Sequence, residues 1–159
     1  VIVSLLFFAA KTLAENGRNQ AALDQYAKIP DQSPYRLDIL LNSAEIFAEI
    51  GNPARAADLA AEAYRIAPDL PDVQLCYADK LYRNKQWSKI PDVIRLSSTS
   101  PNRKRMEFLW TAGMRQRIQE CDLNVQQERA RELCRQLLSV VPDDSTALEC
   151  MKKLNKMPQ

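Results

Sequence analysis

The chain has no histidine among its 159 residues. That removes the commonest general base and the commonest metal ligand together. Glycine is nearly as scarce, with three residues, which disfavours a β-sandwich built on many tight turns. The four cysteines, Cys76, Cys121, Cys134 and Cys150, form no CxxC pair. Without histidine to complete a tetrahedral set, a structural zinc is not expected. No Gly-rich phosphate loop, no nucleophile beside a base and no oxygen-ligand loop of cation-binding spacing is present. The chain is therefore read as a non-enzyme with no cofactor and no metal.

The longest apolar run, residues 1–10, falls short of the roughly 20 residues that span a bilayer. It also lacks the basic flank and cleavage site of a signal peptide. Two expectations remain for it. It is a first helix packed against something, or it is the end of a membrane helix that begins upstream of Val1.

What the chain does contain favours helix. Its apolar content of 46% is ordinary for a soluble protein. Long stretches free of Gly and Pro are rich in Ala, Leu, Arg, Gln and Glu, all good helix formers. The cysteines read as small buried thiols, which suits a reducing compartment. Under oxidation Cys134 and Cys150 are the pair to expect. Each lies about two turns from a bend near Pro142, so two antiparallel helices bring them level.

An internal period carries the most information. Gly17 and Gly51 lie 34 residues apart, as do Ala10, Ala44 and Ala78, Ala22 and Ala56, and Pro34 and Pro68. A period of this length marks a helix–turn–helix unit that stacks on its neighbours. Repeat boundaries fall at about 3–36, 37–70 and 71–102, with a divergent copy at 103–142 and a capping helix at 144–156. The first repeat places helices over 3–15 and 19–28. The second places them over 37–50 and 53–66, with Pro53 suited to a first helical turn. In the third, Lys85-Gln86 replaces the glycine turn and Pro91 opens a shorter second helix. Residues 97–101 form a polar break. Helices follow over 104–121, 126–140 and 146–155, the last capped by Asp143, Asp144 and Ser145, and the tail 157–159 frays.

These landmarks resemble the tetratricopeptide repeat (TPR) family. Small residues stand where the paired helices meet (Ala10, Ala44, Ala78; Ala22, Ala56). Larger ones follow one turn on (Leu13, Phe47, Leu81; Tyr26), and Pro34 and Pro68 close the units. The resemblance is strong over 3–70, fair over 71–102 and loose beyond. It implies an all-α, right-handed solenoid of antiparallel helix pairs in a single domain of residues 1–159.

The resemblance also implies a concave face lined by the first helices. Carried over by position, its partner-binding residues are Lys11, Asp38, Asn42, Glu45, Glu49, Asp72, Asp79, Tyr82 and Arg83. Some members of the family grip a C-terminal carboxylate with Lys, Asn and Arg. Here those slots hold Phe7, Lys11, Asn42, Asp72 and Cys76, and only Lys11 and Asn42 fit in part. An acidic groove repels an acidic tail, so a basic or neutral protein segment is the expected partner.

Charge is divided along the chain. Residues 1–79 carry a net −5 and residues 80–159 a net +7. The basic half invites nucleic acid, but Glu107, Glu120, Glu128 and Glu132 are interleaved at pairing distance along the helices, which argues against it. A head-to-tail contact between copies is a further use for the split. The functional expectation is a protein-interaction scaffold within a multi-protein assembly. The resemblance implies a setting such as a membrane-tethered bacterial envelope or polysaccharide-export complex, cytoplasmic and tethered to the inner membrane. The alternatives are a peptide-holding chaperone and a regulatory domain of a larger enzyme.

Overall fold

The computed structural model describes residues 2–97 and 99–158. Val1, Ser98 and Gln159, which belong to the opening run, the polar break and the tail expected from the sequence, lie outside the described residues. The described residues form nine α-helices and no strand. They are α1 (Ile2–Glu15), α2 (Asn19–Tyr26), α3 (Arg36–Glu49), α4 (Pro53–Ile66), α5 (Pro71–Arg83), α6 (Ile90–Val93), α7 (Arg103–Glu120), α8 (Gln127–Val140) and α9 (Ser145–Leu154). A 3₁₀ turn, Trp87–Lys89, precedes α6. The chain divides into two compact units, Val1–Lys85 and Gln86–Gln159.

In the first unit α1 pairs with α2, α3 with α4, and α4 with α5. α1 also lies beside α3, and α3 beside α5. The 34-residue period explains this. Ala10, Ala22, Ala44, Ala56 and Ala78 are all fully buried, because helix axes approach closely only where the facing Cβ groups are small. Two apolar clusters fill the grooves beside these contacts. One gathers Phe7, Ala10, Ala22, Tyr26, Ile29, Ile39 and Ile46. The other gathers Leu40, Ala44, Leu59, Ala60, Ala63 and Val73. Ile39 and Val73 stand one period apart, and each packs with residues of the preceding repeat.

The opening run is α1, and it faces two ways. Phe7 is buried and stacks on Tyr35 at 4.5 Å between ring centroids. The Tyr35 hydroxyl donates to Ser4 Oγ at 3.0 Å. Ile2, Leu5 and Phe8 are exposed on the other side. Among the described residues no helix is long and apolar enough to cross a membrane.

The turns after α1, α3 and α5 share one backbone conformation. Gly17, Gly51 and Lys85 have φ of 72°, 81° and 58°, one period apart. After α1 and α3 the next amide reaches back five residues, Arg18 to Leu13 and Asn52 to Phe47, which is a Schellman closure. Asn52 then caps α4 by accepting from the Arg55 amide at 3.1 Å. Left-handed backbone costs an L-residue about 1–2 kcal/mol. Lys85→Gly is expected to gain about 0.5 kcal/mol, since the relief is partly offset by the freer unfolded chain. Gly51→Ala is expected to lose about 1 kcal/mol. Thermal melts of the two variants should move in opposite directions from the wild type.

In the second unit α7 packs on α8, and α9 packs on both. The core holds Met114, Ile118, Ala130, Leu133, Cys134, Leu137, Ala147, Cys150 and Leu154. Asp144 fixes the start of α9: its buried carboxylate accepts from the Ala147 amide at 3.0 Å and from Arg115 Nε at 2.7 Å. The shorter second helix expected in the third repeat shrinks to the 3₁₀ turn and four residues of α6. Extended backbone at Ile94 ends it. These short pieces lie on α7 at Gly113, where an added Cβ would come within 2.5 Å of Pro91 Cδ and 2.6 Å of the Trp87 carbonyl oxygen.

Cys134 and Cys150 meet inside this core as free thiols. Cys76 and Cys121 are only half-buried. Burial, then the bond and field of Cys150, push the Cys134 thiol up to about 12. Burial likewise pushes Cys76 up to about 11. The folded state thus holds these protons more tightly than the unfolded chain. That contribution is complete below the ordinary thiol pKa of 9.0 and is lost as pH climbs towards about 12. The melting temperature should fall across this alkaline window, and Cys134→Ala should flatten the fall.

Candidate partner-binding groove

Four of the nine expected groove residues converge. Lys11 on α1 and Asn42, Glu45 and Glu49 on α3 surround a pocket of about 200 Å³, together with Ala14, Glu15, Ile46 and Tyr26. Helical spacing brings them together. Residues 11, 14 and 15 share one face of α1, and 42, 45, 46 and 49 share one face of α3. α2 contributes Tyr26 to the wall.

The other five lie elsewhere on the first unit. Asp38 is exposed on the first turn of α3, and Asp72 on the first turn of α5. Asp79, Tyr82 and Arg83 occupy the C-terminal half of α5. Asp79 is engaged within the fold, with its Oδ2 3.0 Å from Arg83 Nε and 3.4 Å from Lys80 Nζ.

Lys80 is the residue that sequence reasoning missed. Its side chain is 1% exposed, and its ammonium donates to Glu45 Oε1 at 2.6 Å. A buried ammonium requires such partners. Glu45 is therefore a structural anchor as well as a groove residue. The Cys76 thiol approaches the same Oε1 at 3.9 Å. The period held the missing signal. Lys80 occupies the slot of Ile46, one repeat earlier, which is a core position.

The repeat pattern marks Tyr26 only as a helix-packing residue. It is 4% exposed, and its hydroxyl is buried beside the Asn42 side chain. Burial raises its pKa first, Asn42 lowers it, and the negative fields of Glu15 and Asp38 raise it further. Beside the pocket, Asn19 donates through Nδ2 to Glu49 Oε2 at 3.3 Å, while its Oδ1 is buried without a partner. The pocket is thus rich in acceptors. Among its lining residues three carboxylates face one ammonium.

In the second unit, several arginines are tied to the fold. Arg117 binds the Ser88 carbonyl oxygen at 2.7 Å and Asp92 at 2.6 Å. Arg131 binds the Leu154 carbonyl oxygen, and Arg135 pairs with Glu132. A wider hollow of about 840 Å³ beside the start of α8 is walled by exposed side chains such as Val125 and Glu128. Among the described residues no three His, Cys, Asp or Glu side chains converge to hold a metal ion.

No family model and no curated protein matches the chain. Among solved structures, one from a functional characterization of Pseudomonas aeruginosa pilF is similar, with a TM-score of 0.50 at 17% identity. The likeness covers 95% of this chain and 66% of that one. At that identity it speaks to fold alone. It agrees with the pairing of helices in residues 2–85: the fold is an all-α, TPR-type solenoid of antiparallel helix pairs.

Proposed function

We propose that this chain is a non-catalytic protein-interaction scaffold that holds a basic or neutral segment of a partner along the first-helix groove of its first unit. One observation carries the reading. Residues from α1 and α3, chosen by repeat position alone, close around a common acidic pocket. A helical-repeat fold supports it, since such folds present extended binding surfaces. The proposed setting is a multi-protein assembly, with a membrane-tethered bacterial envelope complex, including one for polysaccharide export, as the finer version. The net-acidic character of residues 1–79 favours basic over acidic partners.

The test must spare the fold. Glu45→Lys is unsuitable because it strips Lys80 of its partner. Asp38 and Asp72 are exposed, and reversing each costs the first turn of its helix only about 0.3–1 kcal/mol. Pull-down with the wild type and with an Asp38→Lys/Asp72→Lys variant should show partner recovery falling several-fold in the variant. Equal recovery of the same partners would place the binding surface elsewhere.

A further inference from the structure

Three of the four cysteines gather in one place. Cys121 follows α7, Cys134 lies midway along α8 and Cys150 midway along α9, and all three pack into the core of the second unit. Cys134 is fully buried, and its thiol shares a hydrogen bond with the Cys150 thiol. Packing alone asks only for small apolar groups here. Two thiols in contact also form a dithiol that can close to a disulfide.

Cys150 has a second neighbourhood. It keeps an exposure of 7%, and with Cys121 it lines a cavity of about 330 Å³ between the end of α7 and α9. That volume falls within the roughly 300–1,000 Å³ of small-molecule sites. Ile118 and Leu123 give the cavity apolar wall, and Glu149 and Lys153 give it one charge of each sign. Both charged residues are exposed, one turn apart on α9. Cys134 is not part of the lining. Cys150 is thus the thiol that joins the cavity to the buried pair.

We propose that this cavity is a thiol–disulfide exchange site for a small zwitterionic disulfide, with Cys150 as the entry thiol and Cys134 as the resolving thiol. Lys153 faces a carboxylate of the ligand, and Glu149 faces its ammonium. The Cys150 sulfur, as thiolate, attacks one sulfur of the bound disulfide. A mixed S–S bond forms, the ligand's own S–S bond breaks, and one small thiol leaves with the Cys150 proton. The Cys134 sulfur then attacks the Cys150 sulfur and expels the second small thiol, which takes the Cys134 proton. A Cys134–Cys150 disulfide remains. Two protein thiols are oxidised by two electrons, and one small disulfide is reduced to two thiols. Burial pushes the Cys134 thiol up to about 12, and the attacking species is the thiolate, so the closing step is slow and relies on the two sulfurs being held together. The site is independent of the groove in the first unit.

Oxidised glutathione is the probe, applied to the intact chain, with acid quenching and mass spectrometry as the readout. Trypsin leaves the four cysteines on four separate peptides. After exposure lasting minutes to hours, the span of uncatalysed disulfide rearrangement, the Cys134 and Cys150 peptides should emerge joined by an S–S bond. Cys134→Ala should stop at the first step, with one glutathionyl group on Cys150. Glu149→Gln/Lys153→Gln should slow the reaction with oxidised glutathione several-fold and leave that with the uncharged bis(2-hydroxyethyl) disulfide unchanged. Both residues are exposed, so these changes spare the core. A wild-type chain whose Cys134 and Cys150 stay reduced over hours would overturn the site, and so would glutathione carried by Cys121 or Cys76 alone. No slowing in the double variant, or equal slowing with both disulfides, would overturn the recognition of a zwitterion.

Discussion

Gly113→Ala is expected to destabilise the second unit by about 3 kcal/mol, and Gly113→Val by more. Two effects compete at this position. Gly113 lies within α7, where alanine is worth about 1 kcal/mol over glycine in helix propensity. Against it stand three contacts below van der Waals distance: Pro91 Cδ at 2.5 Å, the Trp87 carbonyl oxygen at 2.6 Å and Pro91 Cγ at 2.9 Å. One is backbone and two belong to a closed ring, so none can swing aside as a flexible side chain would. Overpacking costs about 1–3 kcal/mol where neighbours can adjust, and here they cannot, so the clash wins. The melting transition should fall by roughly 10 °C or more. Gly17→Ala is the control: nothing lies within 4 Å of its added Cβ, and only its φ of +72° is strained. A Gly113→Ala protein that melts at or above the wild type would show that the Pro91 segment does not lie on α7.

The second large effect is an asymmetry around Lys80. Glu45→Lys should cost about 3–5 kcal/mol, the range for leaving a buried charge uncompensated. It places a second cation where the Lys80 ammonium, 1% exposed, now donates at 2.6 Å. Asp79 at 3.4 Å is shared with Arg83 and cannot replace Glu45 fully. Lys80→Met should stay within about 1 kcal/mol of the wild type. The methionine fills the space of the lysine stem, and replacing buried ion pairs by apolar groups of similar volume is often neutral. Glu45, with a side chain 53% exposed, regains water. Urea unfolding of both variants checks this. Similar small losses in the two would mean that Lys80 reaches solvent in the native state.

These two sites mark where the sequence was readable and where it was not. Helix positions followed from periodicity and turn residues. α4 runs over Pro53–Ile66 as expected, and the starts of α3, α7, α8 and α9 differ from expectation by one residue. Gly17 and Gly51 announced their turns because left-handed backbone selects glycine. Lys85 adopts the same φ without the residue type that signals it. In the groove, Lys11, Asn42, Glu45 and Glu49 were legible because helix spacing fixes which side chains share a face. Lys80 was not, because lysine reads as surface unless its repeat slot is consulted. Tyr26 was read as packing, which it is, but whether its hydroxyl finds a partner depends on side-chain positions from three helices. Phe7 and Phe8 are adjacent in the same apolar run, yet one is core and the other is 57% exposed; composition cannot separate neighbours that helix geometry points in different directions.

The pairing of helices with their nearest neighbours along the chain bears on how the protein reaches this state. α1 meets α2 and α3, α3 meets α4 and α5, and α8 meets α7 and α9. Each docking step therefore closes a short loop, and loop-closure entropy grows only slowly with length. Topologies dominated by such local contacts fold in microseconds to milliseconds. Because each unit gathers its own apolar cluster from adjacent segments, folding can begin wherever the first helix pair forms and spread from there.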